Sequence, residues 1–127
     1  MKTAREVYRR SLALMGEEEG ENSTVFEGRW IPLVNVLLGE VYEIDLAMKG
    51  REGAVGKTVP QLTSPEEEIW MEEPIVFSLL PLGLAALLLG ETEPERASFF
   101  RQLYQREREN LRARCRRGRR HKISRPY

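Results

Sequence analysis

The sequence predicts an all-α fold: a small antiparallel helical bundle of about four helices, with a projecting Gly-rich loop or hairpin and an extended basic C-terminal tail. Two observations predict this fold. Apolar residues recur at steps of three or four in two long stretches, which is the spacing of helices with one buried face. Between these stretches, residues 79–89 form the most apolar run of the chain, which indicates a central helix buried on several sides.

The composition fits one folded domain whose charge is unevenly divided. The chain has 127 residues, of which 41% are hydrophobic and 31% charged, and its formal net charge is zero. Residues 110–127 contain eight Arg or Lys and no Asp or Glu, so the rest of the chain carries −8. Such a tail predicts an acidic partner, either nucleic acid or an acidic protein surface. The single cysteine, Cys115, excludes an intrachain disulfide and favours a reducing compartment.

The first helix is predicted over Thr3 to Met15. Thr3 and Glu6 can exchange hydrogen bonds as a capping box, and Gly16 can end the helix in the left-handed conformation. The apolar side of this helix is formed by Val7, Tyr8, Leu12, Leu14 and Met15.

A second, longer helix is predicted to open at Ser23 or Thr24. Its apolar stripe consists of Phe26, Trp30, Leu33, Leu37, Val41, Ile44 and Met48. Pro32 lies inside the stripe and lacks a backbone donor, so a kink or a late helix start is expected there. Asn35, beside the stripe, is interpreted as a buried amide that bonds backbone or a neighbouring helix.

Residues 49–64 break the helical pattern. Three glycines at intervals of three predict a flexible loop or a small hairpin that projects from the bundle. Gly56-Lys57-Thr58 matches the end of a phosphate-binding loop. However, Arg51 occupies the position of the motif's first glycine, and Pro60 blocks the helix that should follow. The sequence therefore predicts no nucleotide site here.

Two further helices complete the bundle. Residues 74–90 are predicted as the third main helix, and Thr92 as the N-cap of a fourth. The inner face of the fourth helix is formed by Ala97, Phe100, Leu103, Tyr104, Glu107 and Leu111. After Leu111 the helix can continue for a turn or two, but Gly118 and Pro126 predict an extended end.

The apolar run of the third helix needs cover on several sides. The second and fourth helices cover two of them, and the first helix or a neighbouring subunit is expected to cover a third. The candidates for core or subunit-contact positions are Trp30, Leu37, Leu80, Leu84, Leu87, Phe100 and Tyr104.

Residue sets that carry catalysis are not visible in the sequence. His121, the only histidine, lies in the arginine-rich tail, so neither a Cys/His cluster for zinc nor a base for a nucleophile is apparent. We therefore expect no enzyme, no metal and no cofactor. Pro74 to Leu89 is a run of 16 residues, shorter than the ~20 that cross a bilayer, so we expect no membrane segment.

The basic tail is the strongest electrostatic signal. Its candidate partner-binding residues are Arg112, Arg114, Arg116, Arg117, Arg119, Arg120, Lys122, Arg125 and Tyr127. Three interpretations are open: a disordered solubilising end, a non-specific nucleic-acid contact, or an arm that docks into an acidic protein groove. Arginine outnumbers lysine seven to one, which favours fixed contacts with carboxylates or phosphates.

Several short motifs occur in an order that suggests a family. They are Leu14-Met15-Gly16, Asn35 on a long helix, a Gly-rich loop, Leu80-Pro81-Leu82-Gly83-Leu84-Ala85-Ala86, an acidic turn, and Phe99, Phe100 and Tyr104. Over roughly residues 3–111 this arrangement resembles the head–tail connector, or adaptor, proteins of tailed bacteriophages. In that family the central run usually reads Leu-Pro-Tyr-Gly-Leu-Ala, and Leu82 stands here in the tyrosine's place.

The resemblance implies a helical connector-like domain over residues 1–111 and a basic arm over residues 112–127. It implies a virion protein of the neck, assembled in the bacterial cytoplasm into a ring, typically of twelve copies. Such a ring joins the portal to a stopper or tail-completion protein, and duplex DNA passes through its channel without sequence-specific binding. The arm would then dock into the portal. Two rivals are a small helical nucleic-acid-binding protein that uses its tail and an unrelated bundle that pairs with a cytosolic partner.

Overall fold

The computed structural model describes residues 2–17, 28–50, 59–90 and 92–123, with side chains described as far as Arg116. The helices are α1 (Ala4–Leu14), α2 (Trp30–Met48), α3 (Leu80–Leu89), which is entered through a π-helical turn (Ile75–Leu79), and α4 (Pro94–Ile123). The described ranges contain no strand, only an isolated bridge between Thr3 and Glu68. The predicted all-α helical bundle is therefore confirmed.

Helix α1 begins and ends where the sequence predicts. The side chain of Thr3 accepts a hydrogen bond from the backbone N–H of Glu6 at 3.2 Å, as expected for an N-cap. Gly16 follows the helix with φ of +78°, a conformation that glycine adopts without strain.

Helix α2 begins at Trp30, directly after Gly28 and Arg29. Gly28 has φ of +79°, and Pro32 is the third helical residue. A proline is tolerated in the first turn because N–H groups there have no partner within the helix. Of the two outcomes expected at Pro32, the structure therefore has the late start. The predicted start at Ser23 or Thr24 and the stripe residue Phe26 lie outside the described residues.

The third predicted helix is present, but it opens with a π-helical turn that the sequence does not predict. The N–H of Leu80 bonds the carbonyl of Ile75, five residues earlier. Pro81 follows this turn directly. In a regular α-helix the proline ring would press against the carbonyl of Phe77, four residues earlier. The wider π-helical turn gives the Phe77 carbonyl room. This explains why the π-helical turn lies immediately before Pro81.

The core surrounds α3, and α1, α2 and α4 all pack against it. Leu37 lies opposite Gly83, whereas Asp45 bonds Glu72 before the start of α3, so α2 runs antiparallel to α3. On the side of α1, the buried hydroxyl of Ser11 donates to the carbonyl of Pro81 at 2.7 Å. The first helix therefore provides the third cover that the apolar run requires.

The segment between α2 and α3 is held by two polar side chains of α2. Asn35 donates from Nδ2 to the carbonyl of Leu62 at 3.0 Å and accepts from the Leu62 N–H at 2.8 Å. The expectation that Asn35 bonds backbone is therefore confirmed. Asp45 is 1% exposed and accepts from the Glu72 N–H at 2.9 Å. Lys49 donates to the other oxygen of Asp45 at 2.9 Å and to the carbonyl of Trp70 at 2.7 Å.

Helix α4 is longer than the sequence predicts. It runs through Gly118 to Ile123, so the expectation of an extended end is wrong up to that residue. A single glycine destabilises a helix by only about 1 kcal/mol, and the arginines around it favour helix. The expected Gly-rich projection falls largely on residues 51–58, and Pro126 is the other predicted breaker; both lie outside the described residues.

Candidate functional site

The predicted core or contact positions lie in the interior of a single chain. Six are buried: Trp30, Leu37, Leu80, Leu84, Phe100 and Tyr104. Leu87 is half-buried and packs against this core. Trp30 also stacks on Tyr8 of α1, with ring centroids 4.6 Å apart. Of these seven, Leu87 has the most surface left for a second subunit.

Gly83 is the point where α2, α3 and α4 come closest. A methyl group built on Gly83 would lie 2.8 Å from Cδ2 of Leu37 and 2.9 Å from Cε1 of Tyr104. Both distances are shorter than carbon–carbon contact allows. Only glycine fits this position of α3 without a shift of its neighbours. This close packing explains why a glycine stands between Leu82 and Leu84.

A polar cluster beside Gly83 joins α2 to α4. The hydroxyl of Tyr104 donates to Oε1 of Glu40 at 2.8 Å. Nη1 of Arg108 lies 3.6 Å from the same oxygen, and its guanidinium carbon lies 5.5 Å from the centroid of the Tyr104 ring. Burial, with the Glu40 hydrogen bond and charge adding to it, raises the pKa of Tyr104 well above its usual value. Tyr104 therefore stays protonated as a hydrogen-bond donor at neutral pH.

The predicted basic arm begins as a continuation of α4. Leu111 is 1% exposed and is the last buried residue among those whose side chains are described. Twelve further residues to Ile123 extend the helix by about 18 Å, at 1.5 Å per residue. The arm is therefore joined to the bundle through an unbroken helix.

The arm residues differ in how far their surroundings are described. Arg112 donates to Glu109 at 3.0 Å on the same helix. Arg114 and Arg116 are exposed. Four more candidate residues lie on the helical backbone between 117 and 123: Arg117, Arg119, Arg120 and Lys122. Arg125 and Tyr127 lie outside the described residues. Cations at a helix C-terminus are stabilised by the helix dipole, which favours this extension.

An open groove lies between the start of α2 and the segment before α3. It encloses about 620 Å³ and is lined by Gly28, Ile31, Pro32, Asn35, Val36, Gln61, Leu62 and Thr63. The amide of Asn35 is already engaged by Leu62. The lining carries no charged side chain, so the groove offers shape and apolar contact rather than acid–base chemistry.

Within the described ranges, no three His, Cys, Asp or Glu side chains converge as metal ligands. In the same part of the chain, no helix combines the length and apolar character that crossing a membrane requires.

Two polar features of α2 were not predicted from the sequence. One is the buried Asp45 with Lys49, and the other is the link between Glu40 and Tyr104. The spacing of Asp45 and Lys49, four residues apart on a helix, is a signal that could have indicated the first. No local signal indicates the second, because its partners are 64 residues apart.

Comparison with known proteins gives no relative: no family model, no curated protein and no solved structure matches this chain.

Proposed function

We propose that this chain is a structural subunit of the neck of a tailed bacteriophage. In this role the subunits form a ring that links the portal to the tail and extends the DNA channel. The basic arm docks the ring into an acidic surface of the portal. The proposal starts from the resemblance described above, in which short apolar motifs and helices follow one another as in head–tail connectors.

One structural observation carries the proposal further. The arginine-rich end is not a detached tail, because α4 continues for about 18 Å beyond Leu111 as a helix. No acidic residue follows Glu109, so this extension bears only positive charge. A preformed cationic helix binds an acidic groove with less loss of conformational entropy than a disordered tail would. Arginine also binds carboxylates through two parallel hydrogen bonds.

Electron microscopy of the chain mixed with the portal protein of the same phage genome tests this function. Ring-on-ring complexes are expected with the natural sequence. In the arm variant, Arg117, Arg119, Arg120 and Lys122 are changed to glutamine. This variant should no longer dock on the portal. Glutamine is a good helix former, so the helical circular dichroism should not change.

A matched control is the pair Arg101→Gln and Arg106→Gln, two exposed arginines of α4 that precede Leu111. This control should dock like the natural chain. Absence of any complex with the portal, or equal docking by the arm variant, would contradict the proposal.

The second candidate is a nucleic-acid-binding protein, and the density of charge on the helix favours it. Seven of the twelve residues from 112 to 123 are Arg or Lys, too many to occupy one face of a helix. The major groove of duplex DNA admits a helix and presents phosphates on both sides of it. If all eight basic residues of the arm met phosphates, the logarithm of affinity would fall with log salt at a slope of about −7. A slope near this value, reduced to about half by the arm variant because four of the eight basic residues remain, would favour this candidate.

A further inference from the structure

The side of α4 that is turned away from α2 bears an exposed apolar surface. Phe99 is 57% exposed and is one of three large apolar side chains with high exposure in the described part of the chain. Leu103, one turn further along the helix, is half-buried. Tyr104 and Arg108, by contrast, reach Glu40 of α2. The exposed ring of Phe99 is thus not part of the contact between α2 and α4.

Phe99 and Leu103 belong to a regular row along α4, which we call the α4 seam. Its residues are spaced alternately by three and four positions: Arg96, Phe99, Leu103, Arg106 and Asn110. At 100° per residue they fall within an arc of about 80°, and the buried face of α4 lies about 120° away from its centre. This spacing is that of the residues with which one helix packs along another.

Leu82 of α3 borders the α4 seam. Helices α3 and α4 are antiparallel, because only residues 90–93 connect them. Gly83 of α3 faces Tyr104 of α4. One residue before this contact on each helix, Leu82 and Leu103 turn to the same side of the pair, since one step back rotates two antiparallel helices in opposite senses. The apolar surface therefore continues from α4 onto the half-buried Leu82.

Leu14 of α1 lies near the other end of this surface. Nη2 of Arg96 donates to the carbonyl of Met15, which holds the end of α1 against the first turn of α4. Leu14, the residue before Met15, is 45% exposed. Two of the three highly exposed large apolar side chains, Leu14 and Phe99, therefore border one surface. An apolar surface of this kind on a highly charged chain indicates a contact with another protein.

The charges beside the α4 seam match a second copy of the same helix that runs in the opposite direction. Glu95 and Arg106 lie on one flank of the apolar pair, and Arg96 and Glu107 lie on the other. When two such seams pack antiparallel, each flank meets the same flank of the other copy. With the apolar pair of one copy against that of the other, Glu95 comes beside Arg106 of the second copy, and Arg96 beside Glu107.

Three of these four charges have no ion-pair partner within the described residues of their own subunit: Glu95, Arg106 and Glu107. The fourth, Arg96, pairs with Glu93, and both side chains are more than a third exposed. Exposed ion pairs of this kind contribute little to stability and are exchanged at little cost. The four charges are therefore available to a second copy.

The distribution of charge along α4 favours the antiparallel arrangement over the parallel one. In a parallel pair the two basic arms, each with +8 over residues 110–127, would lie side by side and repel each other. In an antiparallel pair each arm passes the acidic start of the other α4, which carries Glu93 and Glu95. Opposite charges then meet at both ends of the contact, so the second copy complements this face.

We infer that two copies of this chain pair through the α4 seam, antiparallel and related by a two-fold axis at the level of residue 101. The contact uses the same surface on both copies, so it closes at a dimer. Pairing covers Phe99 and Leu103 and engages the four flanking charges. The inference goes beyond the proposed function and uses neither the portal nor the ring, whose contacts would involve other surfaces of the subunit.

Cross-linking of the full chain tests the pairing and its direction. In a Cys115→Ser background, one variant carries Glu95→Cys and a second, tagged variant carries Arg106→Cys. A short bismaleimide should join the two variants of an equal mixture into a covalent heterodimer on a denaturing gel. Either variant alone should give little product, because its two thiols lie about 15–18 Å apart along the antiparallel helices.

The matched control carries Gln105→Cys in place of Arg106→Cys. Gln105 is exposed on α4, about 140° from the centre of the seam. Mixed with the Glu95→Cys variant, the control should give no heterodimer. Equal product from the control would overturn the inference, and so would efficient cross-linking of Glu95→Cys alone, which indicates a parallel pair. Absence of heterodimer from the Arg106→Cys mixture would overturn it as well.

Charge reversal measures the same contact without a cross-linker. Glu95→Arg and Arg106→Glu should each weaken self-association at least about tenfold in sedimentation velocity, because each brings like charges together in the pair. An equal mixture of the two variants should associate nearly as well as the natural chain, because opposite charges then face each other again. Failure of the mixture to recover would contradict the antiparallel contact.

Substitution of the apolar centre provides a further measurement. Phe99→Ser should weaken self-association by about tenfold or more, because the exposed ring is the largest apolar group of the contact. The matched control, Val36→Ser, changes an equally exposed apolar side chain on α2 and should leave self-association unchanged. Both variants should keep the helical circular dichroism of the natural chain. Equal self-association of the two variants would overturn the inference.

The portal experiment does not decide this inference. Dimers through the α4 seam without portal complexes would remove the proposed function and leave the inference. Portal complexes formed by a chain that stays monomeric without the portal would do the reverse.

Discussion

At the scale of single residues, two glycines within one bundle have opposite surroundings. Gly83 is enclosed by Leu37 and Tyr104, whereas nothing lies within 4 Å of a methyl group at Gly39. Both lie inside helices, where alanine is favoured over glycine by up to about 1 kcal/mol. The packing around each glycine therefore decides the sign of an alanine substitution.

We predict that Gly83→Ala destabilises the fold by about 1–2 kcal/mol, because overpacking of about 1–3 kcal/mol exceeds the gain in helix propensity. Gly39→Ala, the matched control, should stabilise the isolated subunit by about 0.5–1 kcal/mol. Urea denaturation of both variants at dilute protein concentration measures the difference. Stabilisation by Gly83→Ala would show that Leu37 and Tyr104 yield without strain.

Loss of the Asp45 carboxylate should leave two groups without a partner. Asp45→Ala removes the acceptor of the Glu72 N–H and the partner of Lys49. We expect a loss of about 3 kcal/mol, because a buried donor and a half-buried cation are left without compensation. Glu68→Ala, an exposed carboxylate in the same part of the fold, should change the unfolding free energy by less than about 0.5 kcal/mol. Equal effects of the two substitutions would contradict the structural role of Asp45.

The raised pKa of Tyr104 predicts a loss of stability in alkali. The unfolded tyrosine has a pKa of about 10, and the folded one is higher, so above about pH 10 the unfolded state binds fewer protons. Tyr104's contribution to stability is therefore complete below about pH 10 and decreases as the pH rises, by about 1.4 kcal/mol per pH unit.

Tyr104→Phe tests this linkage. At neutral pH the variant should be about 1 kcal/mol less stable, because the hydrogen bond to Glu40 is lost. The difference from the natural chain should shrink above pH 10, since the variant lacks the titrating group. Parallel stability profiles between pH 8 and 11 would rule out the linkage.

At the scale of elements, the helices that the sequence predicts best are those whose signals are local. The cap at Thr3, the left-handed Gly16 and the late start at Pro32 each depend on residues within one turn. The π-helical turn at Ile75–Leu79 was not predicted, because Pro81 could be accommodated by a kink or a break as well as by a wider turn. Helix α4 runs past Gly118 because a single glycine destabilises a helix by only about 1 kcal/mol and the arginines around it are good helix formers.

The same reasoning explains the limits of predicting the site. Burial of Asp45 depends on where the chain returns 27 residues later, and the bond from Tyr104 to Glu40 depends on the packing of two distant helices. The spacing of Asp45 and Lys49 is visible in one segment, but neither the burial of Asp45 nor the bond from Tyr104 to Glu40 is. The apolar stripe of α2 was predicted, but the apolar residues on its opposite side, such as Val36, become notable only when their exposure is known.

Helix α3 provides a prediction at this scale. Ala86 is 3% exposed, whereas Leu82 is half-buried near the helix entrance. Ala86→Asp should prevent stable folding, because a charge without a partner is buried in the core. Leu82→Asp should leave a folded chain, detected by circular dichroism. A cooperative, native-like thermal transition for Ala86→Asp would show that the helix can move to expose the charge.

At the scale of the whole molecule, positive and negative charge lie in different parts of the chain. Residues 110–127 carry +8 and the rest of the chain −8, so two copies attract each other when the end of one meets the body of the other. Salt screens such attraction, with a Debye length of about 10 Å at 0.1 M and about 3 Å at 1 M.

Association between copies should therefore weaken as salt increases from 0.05 to 0.5 M, in sedimentation velocity at fixed protein concentration. A variant with Arg114→Glu and Arg116→Glu, in which the net charge of residues 110–127 falls from +8 to +4, should show a weaker salt dependence. Association that strengthens with salt would mean that apolar contact alone holds the copies together.

The unbroken path of α4 from the core into the arm has a mechanical consequence. A helix of about 18 Å beyond Leu111 acts as a lever, so a tilt of about 10° at the bundle moves its tip by about 3 Å. The contact of Tyr104 with Gly83 is one of those that hold α4 in place. A force applied to the arm is transmitted to that contact. A change of packing there would change the direction of the arm. The interior of the bundle thus fixes the direction in which the arm extends.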